Sequence, residues 1–320
     1  MSRVVVLGGA GYVGQHVCAA FAAHGHEVVV VGRRPPAGPM PHRTLLLDLA
    51  ETPPAALARE LDALRPWVVV NAVGSIWGRS EAEMWSATAT PTLRLLDALA
   101  HMTTAPRLVH LGSVLEFGSV PAGTRVSAAV PARPDTAYGR GKLAATEAVL
   151  RAAADGHLAA SVLRIANVSG PGTPRISLLG RVAEQLLAAA DAGREAVVEL
   201  TRMSARRDYV DVRDVADAVV AAASAPVLPE PVGIGRGEAV PVRTLVDLLV
   251  TASGIPGRVV ELPPAGPASR AEWLCVDPAA ARTFLGWEPR RPLAESVRDG
   301  WLAVARAHRA AATEPIDSKG

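Results

Sequence analysis

Near its start the chain runs Val4-Val5-Val6-Leu7 directly into Gly8-Gly9-Ala10-Gly11-Tyr12-Val13-Gly14, and a helical pattern follows over residues 14–23. Strand side chains alternate between two faces, so an uninterrupted apolar run is a strand buried on both. Glycines at 9, 11 and 14, and equally at 8, 11 and 14, allow a tight strand-to-helix turn. Its backbone N–H groups and the helix N-terminus favour a phosphate. A purely structural glycine-rich turn is the alternative, and the strand before and helix after favour the phosphate-binding reading.

Further apolar runs at 28–31, 44–47, 67–70, 108–111 and 160–163 alternate with Ala- and Leu-rich helical stretches at 54–64, 83–101 and 137–154. This order predicts an α/β fold: a Rossmann-like, doubly wound parallel sheet with right-handed crossovers, its ligands at the C-terminal strand ends. After Asn167 the regularity changes. A loop carries Gly170, Pro171, Gly172 and Pro174. Helices are predicted over 178–192, 215–223, 242–252, 278–284 and 293–307, with an apolar run at 196–200 and a segment at 207–212 between them. The expected organisation is a dinucleotide-binding domain over 1–170 and a smaller C-terminal α/β substrate domain over 171–310, partly returning to the first. Residues 311–320 are read as a flexible tail, the loss of pattern beginning at Ala310.

In a dinucleotide-binding unit, an acid about 20 residues beyond the glycines reads the adenosine ribose hydroxyls. Here the second strand ends in Gly32-Arg33-Arg34. A carboxylate repels a 2′-phosphate, whereas guanidinium groups bind one bidentately. The expected cofactor is therefore NADP(H). Two solvated surface arginines are the alternative, which the missing acid disfavours.

The 33 basic residues are nearly all arginine, with lysine only at Lys142 and Lys319. A lysine retained inside such a fold points to chemistry that arginine cannot perform, because arginine does not share protons near neutrality. Tyr138 and Lys142 stand at i and i+4, on one face of the helix predicted over 137–154. A cation beside a phenol lowers its pKa and makes it a usable acid or base. Upstream, the strand at 108–111 runs into Gly112-Ser113, which places a hydroxyl at the same sheet edge.

Taken in order, Gly8–Gly14, Ser113–Gly118, Tyr138/Lys142, the segments at 163–172, 207–216 and 233–238, and Leu285–Pro289 resemble an extended short-chain dehydrogenase/reductase of the nucleotide-sugar epimerase/dehydratase family. The resemblance implies Tyr138 as proton donor or acceptor and Ser113 as hydrogen-bond partner of the reacting oxygen. Lys142 would bind the nicotinamide ribose and tune the tyrosine. It implies cofactor contacts from Gly8, Gly11, Tyr12, Val13, Gly14, Leu49 and Ala72, with Asp48 accepting the adenine amino group. Arg207, in Arg207-Asp208-Tyr209, would grip the substrate diphosphate. Asn167 would contact the same group, and Asp208 is read as structural. Trp77 and Arg79 are candidates for the cleft wall.

Departures narrow the choice of reaction. The acid pair that eliminates water in the family's dehydratases is replaced by Val114 and Leu115, neither of which can move a proton. Phe117, Ser169 and Thr88 stand where the family has Tyr, Tyr and Asn. The reading is an NADPH-dependent ketoreductase acting on a nucleotide-linked deoxysugar, at the 4-keto group of a dTDP-4-keto-6-deoxyhexose. The alternatives are a nucleotide-sugar 4-epimerase that retains its cofactor and a non-catalytic NADP-binding interaction protein.

Other classes are disfavoured. A net charge of +2 offers no surface for nucleic acid. Only Cys18 and Cys275 are present, which excludes a disulfide framework or cysteine-rich metal site, and both read as packing residues. The eight histidines show no ligand spacing and read as surface or satisfied core groups, so no metal is expected. No apolar stretch of about 18 residues is present, and the first residues do not resemble an export signal. The expectation is a cytoplasmic homodimer, packed through the helices at 83–101 and 137–154.

Overall fold

A computed structural model describes residues 2–36, 38, 40–74, 80–201, 203, 205–263 and 273–313. In chain order its elements are β1 (Arg3–Leu7), α1 (Tyr12–Ala23), β2 (Glu27–Gly32), β3 (Arg43–Leu46), α2 (Pro54–Leu64), β4 (Val68–Asn71) and α3 (Glu81–Ala100). Next come β5 (Arg107–Ser113), a short 3-10 turn (Val114–Glu116), α4 (Ala137–Ala154), β6 (Ala160–Ile165), β7 (Asn167–Ser169), α5 (Leu178–Asp191), β8 (Ala196–Thr201) and β9 (Arg206–Asp211). The remainder is α6 (Val212–Ser224), β10 (Val232–Ile234), β11 (Ala239–Pro241), α7 (Val242–Ser253), β12 (Gly257–Leu262), β13 (Trp273–Leu274), α8 (Ala279–Leu285) and α9 (Leu293–Thr313).

Seven strands form one sheet in the order β10-β6-β5-β4-β1-β2-β3. Every pairing in it is parallel, with Val4 opposite both Val28 and Val68. The valine runs explain it. Val4 and Val6 pack into one core with Val17 and Phe21 of α1, while Val5 and Leu7 pack into the other with Leu57 and Leu61 of α2. Each fully buried aliphatic side chain contributes about 1.5–3 kcal/mol, which is why the apolar runs become central strands. The order reverses between β1 and β4, and that crevice is where open parallel sheets bind ligands.

The second half contains strands that the sequence pattern did not reveal. A four-stranded sheet joins β11, β9 and β13, with β7 also paired to β9, and β8 and β12 form a parallel pair. The third core lies beside them, with Val182 and Leu186 of α5, Leu245 and Leu249 of α7, and Val297 and Trp301 of α9. Near the C-terminus the expectation of lost pattern from Ala310 is corrected, because α9 continues to Thr313. None of the described helices is long and apolar enough to cross a membrane.

Candidate active site

A cleft of about 630 Å³ opens over the C-terminal ends of β1, β4, β5 and β6. Its walls bring together Gly11, Tyr12, Val13, Gly14, Ala72, Tyr138, Lys142 and Asn167. These residues come from separate stretches of sequence.

At the β1–α1 turn, a Cβ added to Gly14 would lie 2.2 Å from the carbonyl oxygen of Gly8. Only a residue without a side chain lets the turn close this tightly, and the close backbone is what a pyrophosphate requires. Gly8 has a positive φ of 76°, and Gly11 N donates to Gly8 O at 2.9 Å. The turn therefore fits a dinucleotide phosphate. Tyr12 reaches across the cleft to the loop after β7, with its hydroxyl 3.2 Å from Thr173 Oγ1.

At the end of β2, Arg33 and Arg34 are exposed, and among the described residues neither forms an ion pair. A Cβ on Gly32 would meet only Arg34 O, at 3.9 Å, so the space beside this strand end is open. Asp48 follows β3 and accepts the Ala50 N–H at 2.9 Å, and Leu49 is buried next to it. These four lie outside the walls of the main cleft.

Helix α4 begins where Thr136 Oγ1 accepts the Gly139 N–H at 3.0 Å. It carries Tyr138 and Lys142 one turn apart along the cleft. Lys142 is 4% exposed, and its Nζ donates to Val73 O at 2.9 Å and Leu111 O at 2.8 Å. Burial lowers its pKa to about 8, against an opposing pull from Glu116. Gly74, at φ 143°, is the residue against which the ammonium rests: a Cβ there would lie 2.9 Å from Nζ.

The expectation that Lys142 depresses the Tyr138 pKa is not met. Burial raises the phenol, Glu116 raises it further, and no lowering by Lys142 opposes them. The physical reason is that low polarity around the hydroxyl disfavours the phenolate. Tyr138 consequently keeps its phenolic proton near neutrality.

Ser113 ends β5, and its Oγ accepts the Leu115 N–H at 3.2 Å, which leaves the hydroxyl proton to donate. Ser113 lies beside the cleft rather than among its lining residues, whereas Leu115 lines it. The residue that sequence reasoning overlooked is Glu116, which is wholly buried. Its carboxylate accepts Ser113 N–H at 2.8 Å and Thr146 Oγ1 at 3.0 Å, and pairs with Arg164 Nε at 2.7 Å. The spacing Ser113-x-x-Glu116 is that of a capping box, a signal present in the sequence.

On the other wall, Asn167 Nδ2 donates to Asp208 O at 3.1 Å, and Asn167 sits opposite Tyr209 in the β7–β9 pairing. Tyr209 lines the cleft. Arg207 stands two residues earlier on β9, with Nη1 donating to Arg206 O, outside the cleft walls. Asp208 points away: its carboxylate accepts backbone N–H groups of Arg236, Gly237 and Val276, in keeping with a structural role. Trp77 and Arg79 lie outside the described residues. The reading of all histidines as satisfied or surface groups is corrected by His110 and His26. Each has a buried ring nitrogen without a partner among the described residues.

Comparison with known proteins follows the same lines. The sequence profile described as the NAD dependent epimerase/dehydratase family matches residues 4–235. The chain belongs to this family. Its members are extended short-chain dehydrogenase/reductase enzymes, and the Rossmann-like sheet, glycine turn and Tyr138–Lys142 pair fit that membership. The chain is 44% identical over 307 residues to the dTDP-6-deoxy-L-talose 4-dehydrogenase (NAD(P)(+)) of Kitasatospora kifunensis, covering 96% of each protein. It is 28% identical to the UDP-glucose 4-epimerase of Corynebacterium glutamicum, covering 96% of this chain and 98% of that one. The structure of Thermus thermophilus UDP-glucose 4-epimerase in complex with NAD superposes with a TM-score of 0.81 at 25% identity, over 95% of this chain and 99% of that one.

Proposed function

We propose that this epimerase/dehydratase-family enzyme is a ketoreductase that reduces the 4-keto group of a dTDP-4-keto-6-deoxyhexose at the expense of NADPH. The observation that carries the reading is the end of β2, where Arg33 and Arg34 stand exposed beside an open Gly32 and no carboxylate is present. Two guanidinium groups there suit a 2′-phosphate. The Kitasatospora relative is named for oxidation at C4 of a dTDP-6-deoxy sugar with NAD(P)+. Oxidation and reduction share one transition state, so the same site serves either direction.

Gly8, Gly11, Tyr12, Val13, Gly14 and Ala72 would hold the dinucleotide along the cleft, with Asp48 and Leu49 at its adenine and Lys142 at its second ribose. NADPH, when bound, supplies a hydride to the carbonyl carbon. Tyr138 gives its phenolic proton to the oxygen that gains the electron pair, and the raised pKa keeps that proton in place until the oxygen becomes basic. Ser113 donates its hydroxyl hydrogen to the same oxygen and stabilises the developing charge. The tyrosinate left behind regains its proton from solvent, which its raised pKa favours. Asn167 and Arg207 would hold the substrate diphosphate. Leu115 and Val114 leave no side chain to eliminate water.

The test is oxidation of NADPH and of NADH with dTDP-4-keto-6-deoxyhexoses. The proposal requires one NADPH consumed per product and a preference for NADPH over NADH. The similarity to UDP-glucose 4-epimerase favours a second reading, 4-epimerisation with a retained cofactor. That reaction interconverts sugars with no net consumption of NADPH. For assembly, the exposed Trp85 and Leu93 of α3, at 45% and 39%, favour pairing of α3 and α4 with a second copy.

A further inference from the structure

The residues around Lys142 include a buried polar cluster that has no direct part in the chemistry above. Asn71 ends β4 and is 1% exposed. Its Nδ2 donates to Thr92 Oγ1 of α3 at 2.9 Å and to His110 Nδ1 of β5 at 3.1 Å. Its Oδ1 accepts the N–H of Val73 at 3.2 Å. The network has one sense. Thr92 Oγ1 donates onward to Thr88 O at 3.2 Å, so it presents only a lone pair to Asn71. Turning the amide over would set its NH₂ against the Val73 N–H.

The Asn71–Val73 bond closes a two-residue turn of the kind asparagine makes with its own backbone. That turn aims the Val73 carbonyl at Lys142 Nζ, 2.9 Å away. We infer that Asn71, clamped by His110 and Thr92, is a positioning residue for Lys142. It anchors Val73 through its N–H, and the carbonyl of that same residue, one peptide unit on, holds the ammonium opposite Leu111 O. The inference rests on the reading of Lys142 given above.

His110 has a defined part. Because its Nδ1 accepts from Asn71, the ring proton sits on Nε2, which is buried and without a partner among the described residues. An aliphatic side chain would avoid that orphaned donor but leave the Asn71 amide without its second acceptor. Burial and the charge of Lys142 hold the imidazole pKa down to about 3, so the ring stays a neutral acceptor through the working pH range.

Lysine is so scarce that the test can observe the ammonium directly. In a Lys319→Arg background Lys142 is the one lysine left. Lysine-selective ¹⁵N labelling then gives a single Nζ signal for the full-length protein. Asn71→Ala is expected to shift that signal, speed its hydrogen exchange and lower kcat by about 10- to 100-fold, the scale of a small misplacement of a reacting group. His110→Leu should reproduce all three effects. His110→Asn, whose amide oxygen can take the place of Nδ1, should restore them towards the parent. If Asn71→Ala does not fold, Thr92→Val removes one acceptor of the same amide and should give a smaller change of the same sign.

An Nζ signal unmoved in Asn71→Ala overturns the inference. So does equal damage from His110→Asn and His110→Leu, which would make the cluster simple packing. A moved signal with unchanged kcat upholds the positioning and overturns the catalytic reading of Lys142 instead.

Discussion

Changing Glu116 to glutamine removes one charge from a buried pair directly behind the reacting groups. Glu116 is 0% exposed, the Arg164 side chain is 8% exposed, and their atoms are 2.7 Å apart. Glutamine keeps an oxygen for Ser113 N–H and Thr146, so the main loss is the counter-charge of a guanidinium that stays buried. Breaking such a pair from one side costs about 3–5 kcal/mol, chiefly because the remaining ion has no water to return to. Glu116→Leu also strands the Ser113 N–H and adds roughly 1–3 kcal/mol. For 320 residues, an unfolding entropy of about 2.1 cal/mol/K per residue gives roughly 0.7 kcal/mol/K, so a loss of about 4 kcal/mol lowers Tm by about 6 °C. The double change Glu116→Leu/Arg164→Met removes the stranded cation and should recover at least half of that loss. Differential scanning calorimetry on the parent, the singles and the double measures this. A glutamine variant within about 1 °C of the parent, or a double change no better than Glu116→Leu, refutes the buried-charge reasoning.

Tyr138→Phe should lower kcat by about 10²- to 10⁴-fold, the usual contribution of a general acid, with NADPH affinity by fluorescence titration little altered. Arg33→Ser/Arg34→Ser should cost about 10- to 100-fold in kcat/KM for NADPH, roughly 1.4–2.8 kcal/mol, while NADH use stays level or improves. A loss equal for both coenzymes would show that the arginines do not read the 2′-phosphate. Lys142 binds its proton more weakly folded, at about 8, than unfolded, at 10.5. The unfolded chain therefore holds more protons between those values, and stability should rise with pH from about 8 towards 10. Denaturant titrations across that range, with Lys142→Met lacking the rise, check the sign.

Much of the fold was legible because sheet strands buried on both faces need unbroken apolar runs. The six runs from Val4 to Leu163 became β1 to β6 within a residue or two at most ends. The second half resisted the same reading. β7, β10 and β11 have three residues each and β13 has two, too short for any periodicity to register. Within the site, the glycine turn and the Tyr138–Lys142 pair were readable as local patterns. Their surroundings were not. Reading Lys142 as the agent that lowers the Tyr138 pKa followed from helix spacing alone. It failed because burial, which spacing does not report, sets the phenol.

By itself, then, the order of residues determined which segments are strands and helices, where the backbone could close on a phosphate, and that a phenol and an amine share one helix face. Those properties depend on neighbours within a few positions. The packed protein decided what Lys142 touches, since its two carbonyl partners lie 69 and 31 residues away along the chain. It also decided that Glu116 meets Arg164 across 48 residues, and that Asn71 is clamped by a threonine and a histidine from different elements. Such meetings are set by strand order in the sheet, and strand order is the outcome of burying every apolar face at once.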